Sequence, residues 1–201
     1  LRTPLSPIVG TIEMMQREEQ MRENVEHLAA LPAGHRRDLA SIHSSAQHLA
    51  RLIADVLDLA SSQAGELRLV KEPLRLSDVL AQVVTLAEPM ARERGLAWQS
   101  DIPAELPTVL GDRTRLQQVA LNLVSNAIKF TEQGSASLWV DVGRRNVVVA
   151  VSDTGIGIPV AEQEIIFDEF RQSNRAARRG YGGMGLGLAI SRRLVELHGG
   201  Q

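Results

Sequence analysis

The chain has 201 residues, 44% hydrophobic and 23% charged, enough for one large domain or two small ones with buried cores. Its 22 Lys and Arg against 24 Asp and Glu, with only 3% aromatics, argue against nucleic acid as a partner, because neither a basic surface nor a base-stacking platform is available. The lack of cysteine excludes disulfides and thiolate chemistry and fits a reducing, cytoplasmic compartment, and no apolar run approaches the roughly 20 residues of a membrane helix, so no membrane contact is expected of this fragment. Starting at Leu1 with neither an initiator methionine nor a signal peptide, the chain reads as an excerpt of a longer protein.

The first segment reads as two helices. Leu5, Ile8, Ile12 and Met15 form an amphipathic stripe, with Pro4 and Pro7 in the first turns. After an irregular stretch at Leu31-Pro32-Ala33-Gly34, a second stripe runs through Leu39, Ile42, Ala46, Leu49, Ile53, Val56 and Ala60. Its alternating steps of three and four make a heptad seam. An antiparallel helical hairpin cannot bury that seam alone. Two hairpins pairing into a four-helix bundle would, which makes the chain a homodimer; a bundle closed within one chain is the alternative. Ser61-Ser62-Gln63-Ala64-Gly65 breaks the heptads and divides residues 1–64 from a second domain at 65–201.

Mixed α and β character follows. Short strands are expected at Leu67–Val70 and Pro73–Leu76, then a helix capped by Ser77 and stopped by Gly95. A strand at Leu96–Ile102 leads into a proline-containing loop. Asp112 caps a helix with apolar positions Leu116, Val119, Leu123 and Ala127. Ser137–Val142, a turn at Gly143-Arg144-Arg145-Asn146 and Val147–Val151 read as a hairpin, and a last helix covers Ala189–Leu197.

Three features carry chemistry. Asn122, Asn126 and Lys129 stand at i, i+4 and i+7 and share a helix face. That face is either an ordinary polar surface or a site where amide oxygens meet Mg²⁺ and the lysine meets phosphate. Asp153-Thr154-Gly155-Ile156-Gly157-Ile158-Pro159 follows a strand. It is either a simple turn or a carboxylate placed to read an exocyclic amine, with glycines letting the backbone approach a flat ligand. Gly182-Gly183-Met184-Gly185-Leu186-Gly187-Leu188 opens a helix, as either a hinge or a set of amide donors for phosphate. Between the last two lie Phe167-Asp168-Glu169-Phe170 and a run made basic by Arg171, Arg175, Arg178 and Arg179, the composition of a lid over a triphosphate or of a solvated loop anchored by its phenylalanines.

Together these residues resemble the sensor histidine kinases of two-component systems. Leu1-Arg2-Thr3-Pro4-Leu5 resembles the end of the H box, and Asn122–Thr131 the N box. Asp153–Pro159 resembles the first glycine box, Phe167–Phe170 the F box, and Gly183–Leu188 the second glycine box. The resemblance implies a dimerisation and phosphotransfer hairpin joined to an α/β sandwich ATP-binding domain of the Bergerat type. It implies ATP and Mg²⁺ as cofactors, a homodimer, and a response-regulator receiver domain as partner. It assigns Mg²⁺ to Asn126 with Asn122 beside it, phosphate to Lys129, the adenine amine to Asp153, and the adenine pocket to Gly155 and Gly157. Gly183, Gly185, Leu186 and Gly187 fall on the phosphate side of the lid, with Arg178 and Arg179 above. Thr3 corresponds to the position that orients water in phosphatase activity toward the regulator; helix-cap chemistry beside Pro4 is its other reading.

The same resemblance places the phosphoacceptor histidine two residues before Leu1. None of His27, His35, His43, His48 and His198 occupies that position. Met184 stands where a hydroxyl residue is frequent, and further strands are expected after Gln201. Two other functions fit fewer of these features: a dimeric scaffold that binds ATP without transferring phosphate, and a Bergerat-fold ATPase outside signalling.

Overall fold

The computed structural model describes residues 10, 14, 15, 17, 33–63, 67–178 and 184–201. The chain divides into two units, Leu1–Ser61 and Ser62–Gln201. Helix α1 spans Ala33–Gln63, all but its last two residues in the first unit. Ala33 and Gly34, expected in an irregular connection, are helical, since their propensity costs are small against 31 residues of continuous hydrogen bonding, and the helix runs on through Ser61–Gln63, where the heptads break. Along the seam Ala46 is buried, whereas Ile42, Leu49 and Val56 are 52%, 47% and 45% exposed. Of the earlier stripe only Met15 falls within the described residues; Leu5, Ile8 and Ile12 lie outside them.

The second unit contains strands β1 (Glu72–Arg75), β2 (Ala97–Asp101), β3 (Thr108–Gly111), β4 (Ser135–Val142) and β5 (Val147–Asp153). Its helices are α2 (Leu76–Glu93), α3 (Arg113–Phe130), the short α4 (Asn174–Arg178) and α5 (Gly187–Leu197). β2, β4 and β5 form one sheet, with β2 parallel to β4 and β5 antiparallel to it. β1 and β3 form a separate antiparallel pair.

Binary pattern explains the main sheet. Ala136, Leu138 and Val140 point inward at 1%, 0% and 7% exposure, while Trp139 and Asp141 face out. α2 and α3 cover the inner face. Leu80 and Val83 of α2 and Val124 and Ile128 of α3 are essentially inaccessible, each large side chain contributing about 1.5–3 kcal/mol by burial. Ala87, Ala91, Ala120 and Ala127 keep the interhelical contact thin enough for close approach. The buried face of α3 is Val119, Ala120, Val124, Ala127 and Ile128, slightly rotated from the expected stripe, so Leu116 and Leu123 are only half-buried.

Four local expectations are corrected. Leu67–Val70 is no strand, because the Val70 amide donates to the Asp112 carboxylate at 3.0 Å instead of to a neighbouring strand. β1 begins at Glu72, pairing with β3 in the segment read as loop; four residues, of which only Gly111 is buried, carry too little alternation to be recognised. α2 starts at Leu76, so Ser77 lies inside the helix and Arg75 takes the cap position without a side-chain bond. Burial of Leu76 outweighs the serine cap. Finally, α5 begins two residues early, at Gly187.

Candidate functional site

α3 is the spine of the site. Asp112 caps it, accepting the Arg115 amide at 3.1 Å. At its other end, Arg94 donates to the carbonyls of Ile128 (3.4 Å) and Lys129 (2.9 Å), and the Ile156 amide donates to that of Phe130 (3.2 Å). The last carbonyls of a helix need such outside donors. α3 is thereby pinned at both ends, and its Asn122, Asn126 and Lys129 face is held in place. Asn126 and Lys129 are half-buried, with the Lys129 ammonium 5.2 Å from the centre of the Phe130 ring.

The first glycine loop meets the C-terminal end of this spine. Asp153 is the last residue of β5, exposed, and its Oδ1 accepts the Gly155 amide at 2.8 Å. Gly155 presses against the carbonyl of Phe130 so closely that a Cβ there would overlap Phe130 and come within 2.8 Å of the Asp153 carboxylate. Only glycine fits. Gly157 is left-handed at φ 65 and opens onto free space. Thr154 fastens the loop to the sheet, its hydroxyl accepting the Ser135 amide at 3.0 Å.

The second loop meets the same spine two turns earlier. Asn122 donates through Nδ2 to Ser191 Oγ at 2.9 Å, and a Cβ on Gly187 would lie 2.5 Å from Asn122 Oδ1. Asn126 stands between the two contacts, one turn from Asn122 and one from Phe130. The first residues of α5 offer amide donors at the positive end of its dipole. Gly185, left-handed at φ 69, accepts the Phe170 amide at 3.1 Å, joining the F segment to the second loop. Leu186 is buried at 1%.

Phe167 and Phe170 are 36% and 64% exposed, which disfavours the alternative of a loop anchored by its phenylalanines; Ile166, at 9%, is the buried residue of the segment. Phe170 itself is left-handed at φ 61, a conformation that costs a bulky residue roughly 1–2 kcal/mol. In the basic run, Arg175 donates to the Ile156 carbonyl at 2.7 Å and Asn174 to Glu162 at 2.7 Å. The Ser173 hydroxyl, and after it the Asn174 amide, holds the Glu162 carboxyl below the usual carboxylate range. Arg179 and Gly183, the Arg178 side chain and Thr3 lie outside the described residues.

Sequence reading missed Ser191, Arg94 and a histidine clasp. His198 caps α5; its Nε2 accepts the Asp112 amide at 2.9 Å and its Nδ1 lies 2.7 Å from the Leu194 carbonyl. An amide can only donate and a carbonyl only accept, so the geometry selects the neutral Nδ1–H tautomer. Lys71 donates to the Leu197 carbonyl at 2.8 Å beside it. The i, i+4 spacing of Gly187 and Ser191 was the one available hint of the contact with α3.

Two glycine loops therefore converge on one helix that carries Asn126 between the two contacts. Among the described residues no three His, Cys, Asp or Glu side chains cluster to hold a metal. A divalent ion here would take a neutral amide oxygen, water and its ligand's phosphates, which suits Mg²⁺. Residues 111–201 match the family of histidine kinase-, DNA gyrase B- and HSP90-like ATPases, and residues 1–65 match the His Kinase A (phospho-acceptor) domain. The catalytic domain of the histidine kinase ThkA is 30% identical, with a TM-score of 0.54; the match covers 65% of this chain and 82% of that one.

The chain belongs to the sensor histidine kinase family.

Full-length ShkA in complex with AMPPNP superposes with a TM-score of 0.71 and 34% identity, over 98% of this chain and 39% of that one. The circadian input-output histidine kinase CikA of Synechococcus elongatus is 39% identical over the whole of this chain, and BarA of Escherichia coli 38%. These matches span 26% and 21% of the two relatives, so the chain corresponds to about a quarter of their length. Among the described residues no helix is long and apolar enough to cross a membrane.

Proposed function

We propose that this chain is the ATP-dependent core of a cytoplasmic protein-histidine kinase. The observation that carries the reading is the convergence of both glycine loops on α3, with Asn126 between them. Asp153 reads the adenine amine, in a pocket shaped by Gly155 and Gly157. A carboxylate placed for an amine disfavours bases that lack one, because it would be left unpaired. Asn126 holds Mg²⁺, which neutralises phosphate charge when bound, and Lys129 meets phosphate. Gly183, Gly185, Leu186 and Gly187 present the phosphate side of α5, and Arg178 and Arg179 belong to the lid.

The acceptor is the histidine that the H box of the family carries just before Leu1-Arg2-Thr3-Pro4-Leu5. Its neutral imidazole nitrogen attacks the γ-phosphorus in line; the new N–P bond forms as the bond to the bridging oxygen breaks and ADP departs. The phosphoryl group then passes to an aspartate of a response-regulator receiver domain. Thr3 orients water to hydrolyse the aspartyl phosphate of the regulator, releasing inorganic phosphate, in a separate phosphatase reaction. Two hairpins join as a four-helix bundle, which covers the exposed Ile42, Leu49 and Val56 of α1. The complex of ThkA with the response regulator TrrA, 25% identical with a TM-score of 0.61 over 99% of this chain and 52% of that one, supports the regulator as partner.

The test uses the parent protein extended upstream of Leu1, incubated with Mg²⁺ and γ-labelled ATP. Acid-labile, base-stable label that disappears when the H-box histidine is changed to alanine is expected. Saturable ATP binding without such label would replace this reading by that of a non-catalytic scaffold.

A further inference from the structure

Asn122 is one of the two asparagines on the face of α3 to which a nucleotide role falls, yet its amide is already occupied. Nδ2 donates to Ser191 Oγ at 2.9 Å, and Oδ1 abuts Gly187 at the distance where a Cβ would sit at 2.5 Å. Both ends of the amide face α5. Ser191 is 6% exposed, one of few buried polar side chains among the described residues, and lies one turn after Gly187 on the same face. A buried hydroxyl facing a half-buried amide is costly to leave unpaired, so this contact fixes separation as well as orientation. Glycine removes the bulk that would keep the helices apart, and serine supplies the acceptor that holds them together.

What the contact joins gives it a function. Gly187 is the first residue of α5, whose first-turn amides lack intrahelical acceptors and, on the nucleotide reading, receive phosphate. Asn122 lies one turn from Asn126 on α3. We propose that Ser191 is a positioning residue for nucleotide binding: through Asn122 it ties the phosphate-facing end of α5 to the turn of α3 that carries Asn126. This rests on the nucleotide reading above and changes the part played by Asn122 from ligand contact to strut. Phosphate amides and metal-binding amide are thereby set at one distance before the ligand arrives, the preorganisation that a site bridging phosphate and metal requires.

The hydrogen bond can be read without nucleotide. In the unliganded wild-type chain the Asn122 side-chain amide protons should be protected from exchange by NMR, and in Ser191→Ala they should exchange freely with little change elsewhere. With nucleotide, Ser191→Ala should bind ATP about tenfold more weakly than wild type in the presence of Mg²⁺, the scale of one buried polar partner lost. With EDTA the two should bind ATP alike, since the adenine pocket at Asp153 is untouched; a general loss of structure would weaken both. Ser191→Cys, of nearly the same shape with a weaker acceptor, should fall between them. In an Asn122→Ala background, Ser191→Ala should cost nothing further. Unprotected Asn122 amide protons in wild type, equal Mg²⁺-dependent affinity in Ser191→Ala, or losses that multiply in the double variant would overturn the proposal. A wild-type chain that bound no ATP would overturn the nucleotide reading, and this proposal with it, whereas the unliganded NMR result reports on the strut alone.

Discussion

The helix of the first unit and the helices of the second carry apolar stripes of similar regularity and meet opposite fates. On α1, Ile42, Leu49 and Val56 remain about half exposed, whereas on α2 and α3, Val79, Val83 and Val124 are at 0%. The difference lies in what each stripe faces. α2 and α3 lie on the sheet formed by β2, β4 and β5, whose inward residues supply a second layer. The heptad seam of α1 has period 3.5, suited to another helix. One region closes its core within a chain, and the other leaves an exposed seam that the proposed dimer would cover.

Substitutions at matched positions break or sharpen this contrast. Leu138→Ala in β4, where the side chain is wholly buried, should lower the stability of the second unit by about 2–5 kcal/mol in urea unfolding. Leu49→Ala on the seam should leave that transition in place and shift the chain from dimer toward monomer in sedimentation equilibrium. A seam variant that stayed dimeric would point to a bundle closed within one chain.

Asp153→Ala follows in size, separating chemistry from packing. The side chain is exposed and ends a strand, so the fold should hold. ATP affinity should fall by about 2–3 kcal/mol in calorimetry, the range for a hydrogen bond to a charged group. Near-normal affinity would remove Asp153 from the adenine site.

His198→Ala should cost about 1–2 kcal/mol, because the Asp112 amide at the start of α3 loses its acceptor. Unfolding of unliganded protein measures it, and a cost near zero would show that water replaces the imidazole.

The smallest effect concerns Glu162. Its pKa is lowered in the folded state by Ser173 and then Asn174, so the tie contributes stability above the unfolded carboxylate range and loses it as pH falls through the lower folded value. Acidification through that window should raise amide exchange across Ser173–Arg178, after correction for intrinsic rates. Glu162→Gln should remove the response. Exchange indifferent to pH in the native chain would show that other contacts hold the segment.

Much of this was legible in residue order. Asp112 as a cap, the β4–β5 hairpin around Gly143–Asn146, and the three-residue face of α3 follow from local rules that need only near neighbours. Short β3 was not legible, because its partner β1 lies more than 30 residues away and neither strand alternates strongly. The non-strand at Leu67–Val70 depended on a carboxylate 42 residues distant.

The amino-acid sequence by itself determined which chemistry is present and in what order: amides and lysine on one helix, a carboxylate before one glycine loop, amide donors after another. Tertiary structure alone decided which of those groups meet. It set Gly155 against the Phe130 carbonyl, turned the Asn122 amide toward Ser191, and closed His198 onto Asp112. The physical reason is that periodicity and capping act over a few residues, while a hydrogen bond between residues 69 or 86 positions apart exists only once packed helices and sheet have brought them within 3 Å.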